Sequence, residues 1–193
     1  MPQTEHEAEI RLLGEQFGLP VRRHCVLHVD RATYEWWTEI KPRRRGEVVL
    51  LIRRRNGNFI LHTKDFYPEG TERVPSGGIK KEESLLDAAY REAGEETGLQ
   101  VVVERLLAVI HYEFHFGKQV IDFPSHLFLL REVGGDLKAN DVDERICGFG
   151  EVPVEELNSV AERLEQLSPE WRDWGCFRSY PHRLAAELLC ESG

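Results

Sequence analysis

Between Gly77 and Leu99 the chain reads GGIKKEESLLDAAYREAGEETGL, and seven positions in it could carry chemistry: Gly77, Glu83, Arg91, Glu92, Glu95, Glu96 and Gly98. Residues three and four apart share a face of an α-helix, so Glu92, Glu95 and Glu96 project from about one turn. Leu86, Ala89 and Ala93 form an apolar stripe beside that face, able to bury the helix against a sheet. Three carboxylates so close repel one another unless a cation sits among them. Hard divalent ions that prefer oxygen ligands, Mg²⁺ or Mn²⁺, suit that place. Arg91 stands one turn before Glu95 and can pair with it or with Glu83, holding a carboxylate in one rotamer. Ser76-Gly77-Gly78 lets the backbone approach closely and offers amides or carbonyls to a phosphate or a metal. Glutamates crowded on a helix are usually only a solvated face. Against that, these seven fixed positions recur by chance in a chain of this length with a probability on the order of 10⁻⁶, or about tenfold more given the abundant glutamate. Chance loses.

These residues resemble the Nudix box, with every fixed position present and the aliphatic slots filled by Ala93 and Leu99. Ser76 stands where the family more usually has glycine, and Glu82 where another often sits. The layout from Glu47 to Leu157, including Asp143-Glu144 before Val152-Pro153, is similar to the family's. The resemblance implies an α/β fold, an α/β/α sandwich around a mixed β-sheet, here with N-terminal and C-terminal helical additions. It implies that Glu92, Glu95 and Glu96 ligate Mg²⁺ (Mn²⁺ as substitute), with a backbone carbonyl near Gly77, while Glu83 and Arg91 orient them. The implied reaction is attack of water on phosphorus in the diphosphate link of a nucleoside diphosphate joined to another group, such as an ADP-sugar or a nucleoside triphosphate. Family members differ over the carboxylate that takes the proton. Glu95 and Glu92 in the box are candidates, and Glu144 is the candidate from a later loop, as base or extra ligand. Glu144 is equally readable as a surface glutamate in the polar run Asn140 to Glu144.

Substrate contacts are thinner. Gly78 belongs to the phosphate-facing loop, and Arg53-Arg54-Arg55 offers Arg55 to a phosphate. His111, Glu113 and His115 alternate on one strand face; because strands after the box line the cleft in this family, His111 and Glu113 are further candidates. The tryptophan that many relatives carry before the last Val-Pro is here Glu151, and no subgroup signature fits. The alternative to an enzyme is a non-catalytic module of the same family that senses a nucleotide or nucleotide sugar.

The elements that must position these residues follow from pattern. Glu5 to Phe17 has loose helical periodicity, and Val21 to Val29 looks like a strand. Glu47 to Ile52 and Phe59 to Leu61 flank Asn56-Gly57, a strong hairpin signal. Ser84 with Asp87 marks the start of a helix running to Thr97, and Gly98 sits where a terminating glycine belongs. Val101–Val103, Leu106–Phe116 and Val120–Val133 read as strands, the last two turning near Gly117. Leu157–Leu167 and Arg183–Leu189 read as helices. Trp36-Trp37, Trp171 and Trp174 suit core or dimer contacts better than base stacking.

The chain has 193 residues, 41% hydrophobic and 31% charged. That composition suits one globular domain over 1–193, with a core at about 44–160, an N-terminal extension 1–43 and a C-terminal helical segment 161–193. The formal charge of -9 disfavours nucleic acid as a partner. No apolar run approaches a membrane span, and the opening lacks a basic-then-apolar signal, so a cytoplasmic location is expected. Four scattered cysteines read as reduced, mostly buried thiols. A homodimer is an analogy from the family alone.

Overall fold

A computed structural model describes residues 3–190. In chain order it builds α1 (Gln3–Phe17), β1 (Val21–His28), α2 (Arg31–Ile40), β2 (Glu47–Arg53), β3 (Phe59–Lys64), β4 (Ser76–Gly78) and α3 (Leu85–Thr97). β5 (Leu99–Phe116), β6 (Gln119–Gly135), β7 (Ile146–Val152), α4 (Leu157–Glu165) and α5 (Arg172–Cys190) complete it. The strands form one sheet in the order β1-β5-β6-β2-β3-β7, with β4 paired to β2. β1 runs parallel to β5 and β2 parallel to β6, whereas β5–β6 and β3–β7 are antiparallel. The sheet is mixed.

Alternation along β2 shows why there are three layers. Val48, Leu50 and Ile52 face one way and meet Ile10 and Leu13 of α1 and Leu85, Ala88, Ala89 and Ala93 of α3. Val49 and Leu51 face the other way and share a core with Trp37 of α2, Leu157, Val160 and Leu164 of α4, and Phe177 and Leu184 of α5. A strand this apolar on both faces needs helices on both sides. The α/β/α sandwich expected above is what forms, and both terminal segments carry helices whose apolar residues enter its cores.

Local signals place the site helix. The Ser84 side chain accepts from the Asp87 backbone N–H at 3.0 Å and donates to the Asp87 carboxylate at 2.7 Å, which caps α3. Gly98 ends it at φ 68°, and a Cβ there would fall 2.4 Å from the Lys138 carbonyl.

Three details depart from pattern. β5 continues through Glu104 with a register shift between Val103 and Arg105, so the expected gap between Val103 and Leu106 is one irregularity inside a continuous strand. α5 starts at Arg172, well before the expected Arg183, and runs through Pro181. Proline removes one backbone donor, but nearby side chains engage carbonyls of the preceding turn: Ser179 Oγ donates to Cys176 O at 2.9 Å and His182 Nδ1 lies 2.8 Å from Arg178 O. Burial of Phe177, Pro181 and Leu184 then outweighs the break. The cysteines are free, but Cys147 and Cys190 are exposed, against the expectation of burial. Among the described residues no helix is long and apolar enough to cross a membrane.

Candidate active site

The helical repeat of α3 carries Glu92 and Glu96 onto its buried side, one turn apart, facing β4 and the end of β3. The Ser76 backbone N–H donates to Glu96 Oε2 at 2.9 Å. Gly77 lies flat against Glu92: a Cβ there would sit 1.8 Å from the Glu92 carboxyl carbon, so no other residue lets the loop come this close. From beyond β6, Glu144 closes the group, in a short 3₁₀ turn capped by Asp141. Carboxylate oxygens of Glu92, Glu96 and Glu144 lie within 4.8 Å of one another. Lys64, the last residue of β3, reaches between two of them, its Nζ 2.5 Å from Glu144 Oε2 and 3.2 Å from Glu96 Oε1.

The energetics follow from burial. Removing a carboxylate from water disfavours its charge. Burial pushes Glu96 up to about 7, against the pull of Arg73 and Lys64. Glu92 is raised by the same cause, and Arg91 offsets it only in part. For Glu144 burial pulls upward too, but the Lys64 ammonium outweighs it and the carboxyl ends below its ordinary value. The place between these oxygens therefore favours positive charge.

Arg91 organises the other side. Its Nε and Nη2 donate to the two oxygens of Glu83 at 2.6 and 2.8 Å, its Nη1 to Glu92 at 2.7 Å and Glu95 at 2.8 Å, and its Nη2 also to the Gly78 carbonyl at 3.0 Å. Both partners foreseen for Arg91 are engaged at once. Glu83 is held low by Arg91. Glu95 is turned to Arg91, a third exposed, and is not one of the three whose oxygens meet; of those, Glu92 and Glu96 are buried and Glu144 is half-buried. The group that converges is Glu92, Glu96 and Glu144, with Glu95 at its rim.

Beneath the trio lies a layer that sequence reasoning missed. Ser76 Oγ accepts from Arg73 Nη1 at 2.8 Å and Arg178 Nη1 at 3.0 Å. Arg178 also donates to Glu47 at 2.8 Å, and Ser125 Oγ donates to the other Glu47 oxygen. Arg178 comes from α5 and Glu47 from β2, so no local spacing could have joined them. Lys64 did leave a trace. Ile60, His62 and Lys64 alternate onto one strand face, which is buried throughout, and a lysine at such a position needs a partner.

Other sequence candidates lie elsewhere. Gly78 is at the site, its carbonyl held by Arg91 and the Arg44 side chain packed over it. Arg55 is on the β2–β3 hairpin, at the opposite end of β2 from Glu47, and donates to Val133 O at 3.2 Å. His111 and Glu113 sit on β5 beside edge strand β1, with β6 and β2 between them and β3. Strand order, which sequence pattern does not reveal, sets His111 and Glu113 apart from the carboxylates, and the length of β2 does the same for Arg55. Trp37 is core, ringed by Phe114, Phe123 and Phe177, as expected.

The donor set fits a hard dication: carboxylate oxygens close enough to share one ion, a glycine carbonyl strand pressed against one of them, and a local preference for positive charge. Comparisons with known proteins agree in kind. The family model for the NUDIX domain matches residues 42–175. A mutator-named protein of Mycobacterium tuberculosis, MutT4, is 34% identical over 86 residues, covering 45% of this chain and 34% of the relative. An ADP-ribose pyrophosphatase of Methanocaldococcus jannaschii is 29% identical over 130 residues, covering 65% of this chain and 66% of the relative. The chain thus spans a third of one relative's length and just under two thirds of the other's. A solved UDP-X diphosphatase superposes with a TM-score of 0.52 at 18% identity, over 98% of this chain and 83% of that one, a likeness of fold.

Proposed function

The chain belongs to the Nudix family, and from that premise we propose that it is a Mg²⁺-dependent hydrolase of the diphosphate link in a nucleoside diphosphate derivative, with Mn²⁺ able to substitute. One observation carries the reading: oxygens of Glu92, Glu96 and Glu144 meet within 4.8 Å beside a glycine that only glycine can be. Glu92 and Glu96 hold the ion together with the Gly77 carbonyl. Glu95, at the solvent rim, is the ligand for a further ion. A divalent ion held by these residues would supply positive charge against the phosphate oxygens and make water a stronger acid.

The remaining work falls to the chain. Water adds to one phosphorus, the bridging P–O bond breaks, and the water's proton passes to Glu144, the trio's most exposed member, whose carboxyl the Lys64 ammonium holds below its ordinary value. Arg91, held by Glu83, fixes Glu92 and Glu95 in single rotamers. Lys64 balances Glu96 and Glu144 until the ion and substrate arrive. The substrate class, a nucleoside diphosphate joined to a second group, is supported by the relatives named for ADP-ribose and UDP-X.

A panel of nucleotide sugars, dinucleoside polyphosphates and nucleoside triphosphates, incubated with Mg²⁺ or Mn²⁺ and analysed for both products, tests this. At least one substrate should be cleaved at its anhydride, and Glu96→Gln should remove that turnover. A wild type inert on the whole panel, yet binding a nucleotide, would make the protein a sensor instead.

A further inference from the structure

At the other margin of the sheet, β1 and β5 run parallel in a register that sets His24 beside His111, Val26 beside Glu113 and His28 beside His115. Alternate residues of a strand share a face, so these side chains stand together on one side of an edge strand. They are open to water: the His24 and His111 side chains are 53% and 50% exposed. Their imidazoles lie side by side, centroids 5.6 Å apart and planes 28° from parallel. His24 Nε2 is 2.9 Å from Glu113 Oε1, and His115 Nε2 is 2.8 Å from Glu113 Oε2. His111 Nε2 is 3.0 Å from Asp122 Oδ1 on β6. A ring nitrogen of His24, a ring nitrogen of His111 and an oxygen of Glu113 all fall within 4.8 Å of one another.

Two imidazoles and one carboxylate at that spacing are the donor set of a borderline divalent ion, for which nitrogen ligands outrank the water and oxygen that Mg²⁺ prefers. The strands fix the spacing, since neighbouring strands lie about 4.8 Å apart. His115 and Asp122 supply the outer hydrogen bonds that such ligands need to hold their orientation. We propose that His24, His111 and Glu113 form a second metal site, taking a zinc-class ion with three protein ligands and a position left open. It is independent of the diphosphate chemistry, and its ion ties edge strand β1 to β5.

Tag-free protein titrated calorimetrically with Zn²⁺ and Ni²⁺, and with Co²⁺ by visible absorption, decides it. The expected result, beyond any ion taken by the carboxylates, is one ion per chain that persists in Glu96→Gln and in saturating Mg²⁺. His24→Ala and His111→Ala should each weaken it at least a hundredfold, on the order of the loss of one ligand, and His115→Ala about tenfold, as for an outer partner. His24→Gln, isosteric and polar, should behave like His24→Ala while keeping the metal-free circular dichroism spectrum. The Co²⁺ bands should lack thiolate charge transfer, because the proposed ligands contain no sulfur; its presence would point to the exposed Cys147 or Cys190. Unchanged affinity in the His24→Ala, His111→Ala double variant, thiolate charge transfer, or no binding by the wild type would each overturn the proposal.

Discussion

Two clusters of side chains with the chemistry of metal ligands lie in one sheet sandwich, and they differ in almost every physical respect. Glu92 and Glu96 are 4% and 0% exposed, whereas His24 and His111 are half in water. The carboxylates come from one helical turn and are completed by a loop glutamate and a lysine. The histidine group is built by register between two strands. Burial loads the first cluster with a desolvation cost: it pushes Glu96 up to about 7, and a cation relieves what the fold imposes. The second stores nothing, because solvated imidazoles lose little by standing together. An ion in the buried oxygen site therefore relieves a cost the fold already carries, whereas one in the exposed nitrogen site only adds stability by binding the folded state.

The sharpest way to break that contrast is at Glu96. Glu96→Gln should lower turnover by about 10³-fold or more, which corresponds to roughly 4 kcal/mol of barrier; steady-state kinetics with Mg²⁺ on whichever substrate the panel identifies would show it. Retained turnover would mean the trio is not the ion's seat. Next is Arg91→Ala, which strands Glu83, Glu92 and Glu95 around a vacated guanidinium. A loss of about 3 kcal/mol in urea unfolding is expected, and a loss below about 0.5 kcal/mol would show that these carboxylates are already solvated.

The third effect concerns pH. In the folded protein Glu96 keeps its proton to about 7, while in the unfolded chain it releases it near 4.5. The folded state then binds more protons across that window, so metal-free stability is lost as pH rises from about 4.5 to 7 and is flat above. His182, depressed by burial to about 4, and His126, to about 3, act in the opposite sense: their contribution is present above 6.5 and lost as pH falls. The difference between wild type and Glu96→Gln isolates the glutamate, and should grow to about 3 kcal/mol by pH 7. A pH-independent difference would refute the burial argument. Smallest is His24→Ala without metal, expected to change unfolding free energy by no more than about 0.5 kcal/mol, as for an exposed strand position. A larger loss would mean that the patch holds β1 in place by itself.

Much of this was legible in the chain. Ser84 and Gly98 bounded α3 because capping is local chemistry, and the salt links from Arg91 to Glu83 and Glu95 follow from spacing along one segment. Glu96 and Glu95 were harder to separate. Relative to Glu92 they lie about 40° and 60° to opposite sides of the helix, and only packing against β4 decides which is buried. The link between Arg178 and Glu47 was invisible, because the packing of α5 on the sheet, not sequence distance, brings them together. Pro181 misled for a related reason: it ends an isolated helix, but not one whose face is buried and whose neighbouring carbonyls find side-chain donors.

The reach of Lys64 between Glu96 and Glu144 has a thermodynamic meaning of its own. A tethered ammonium is a competitor present at an effective concentration that dilution cannot lower. Any dication entering among these oxygens has to evict or share with it, so occupancy is graded by free-ion supply instead of being locked in. Removing that ammonium, as in Lys64→Ala, converts an exchangeable seat into a tighter one.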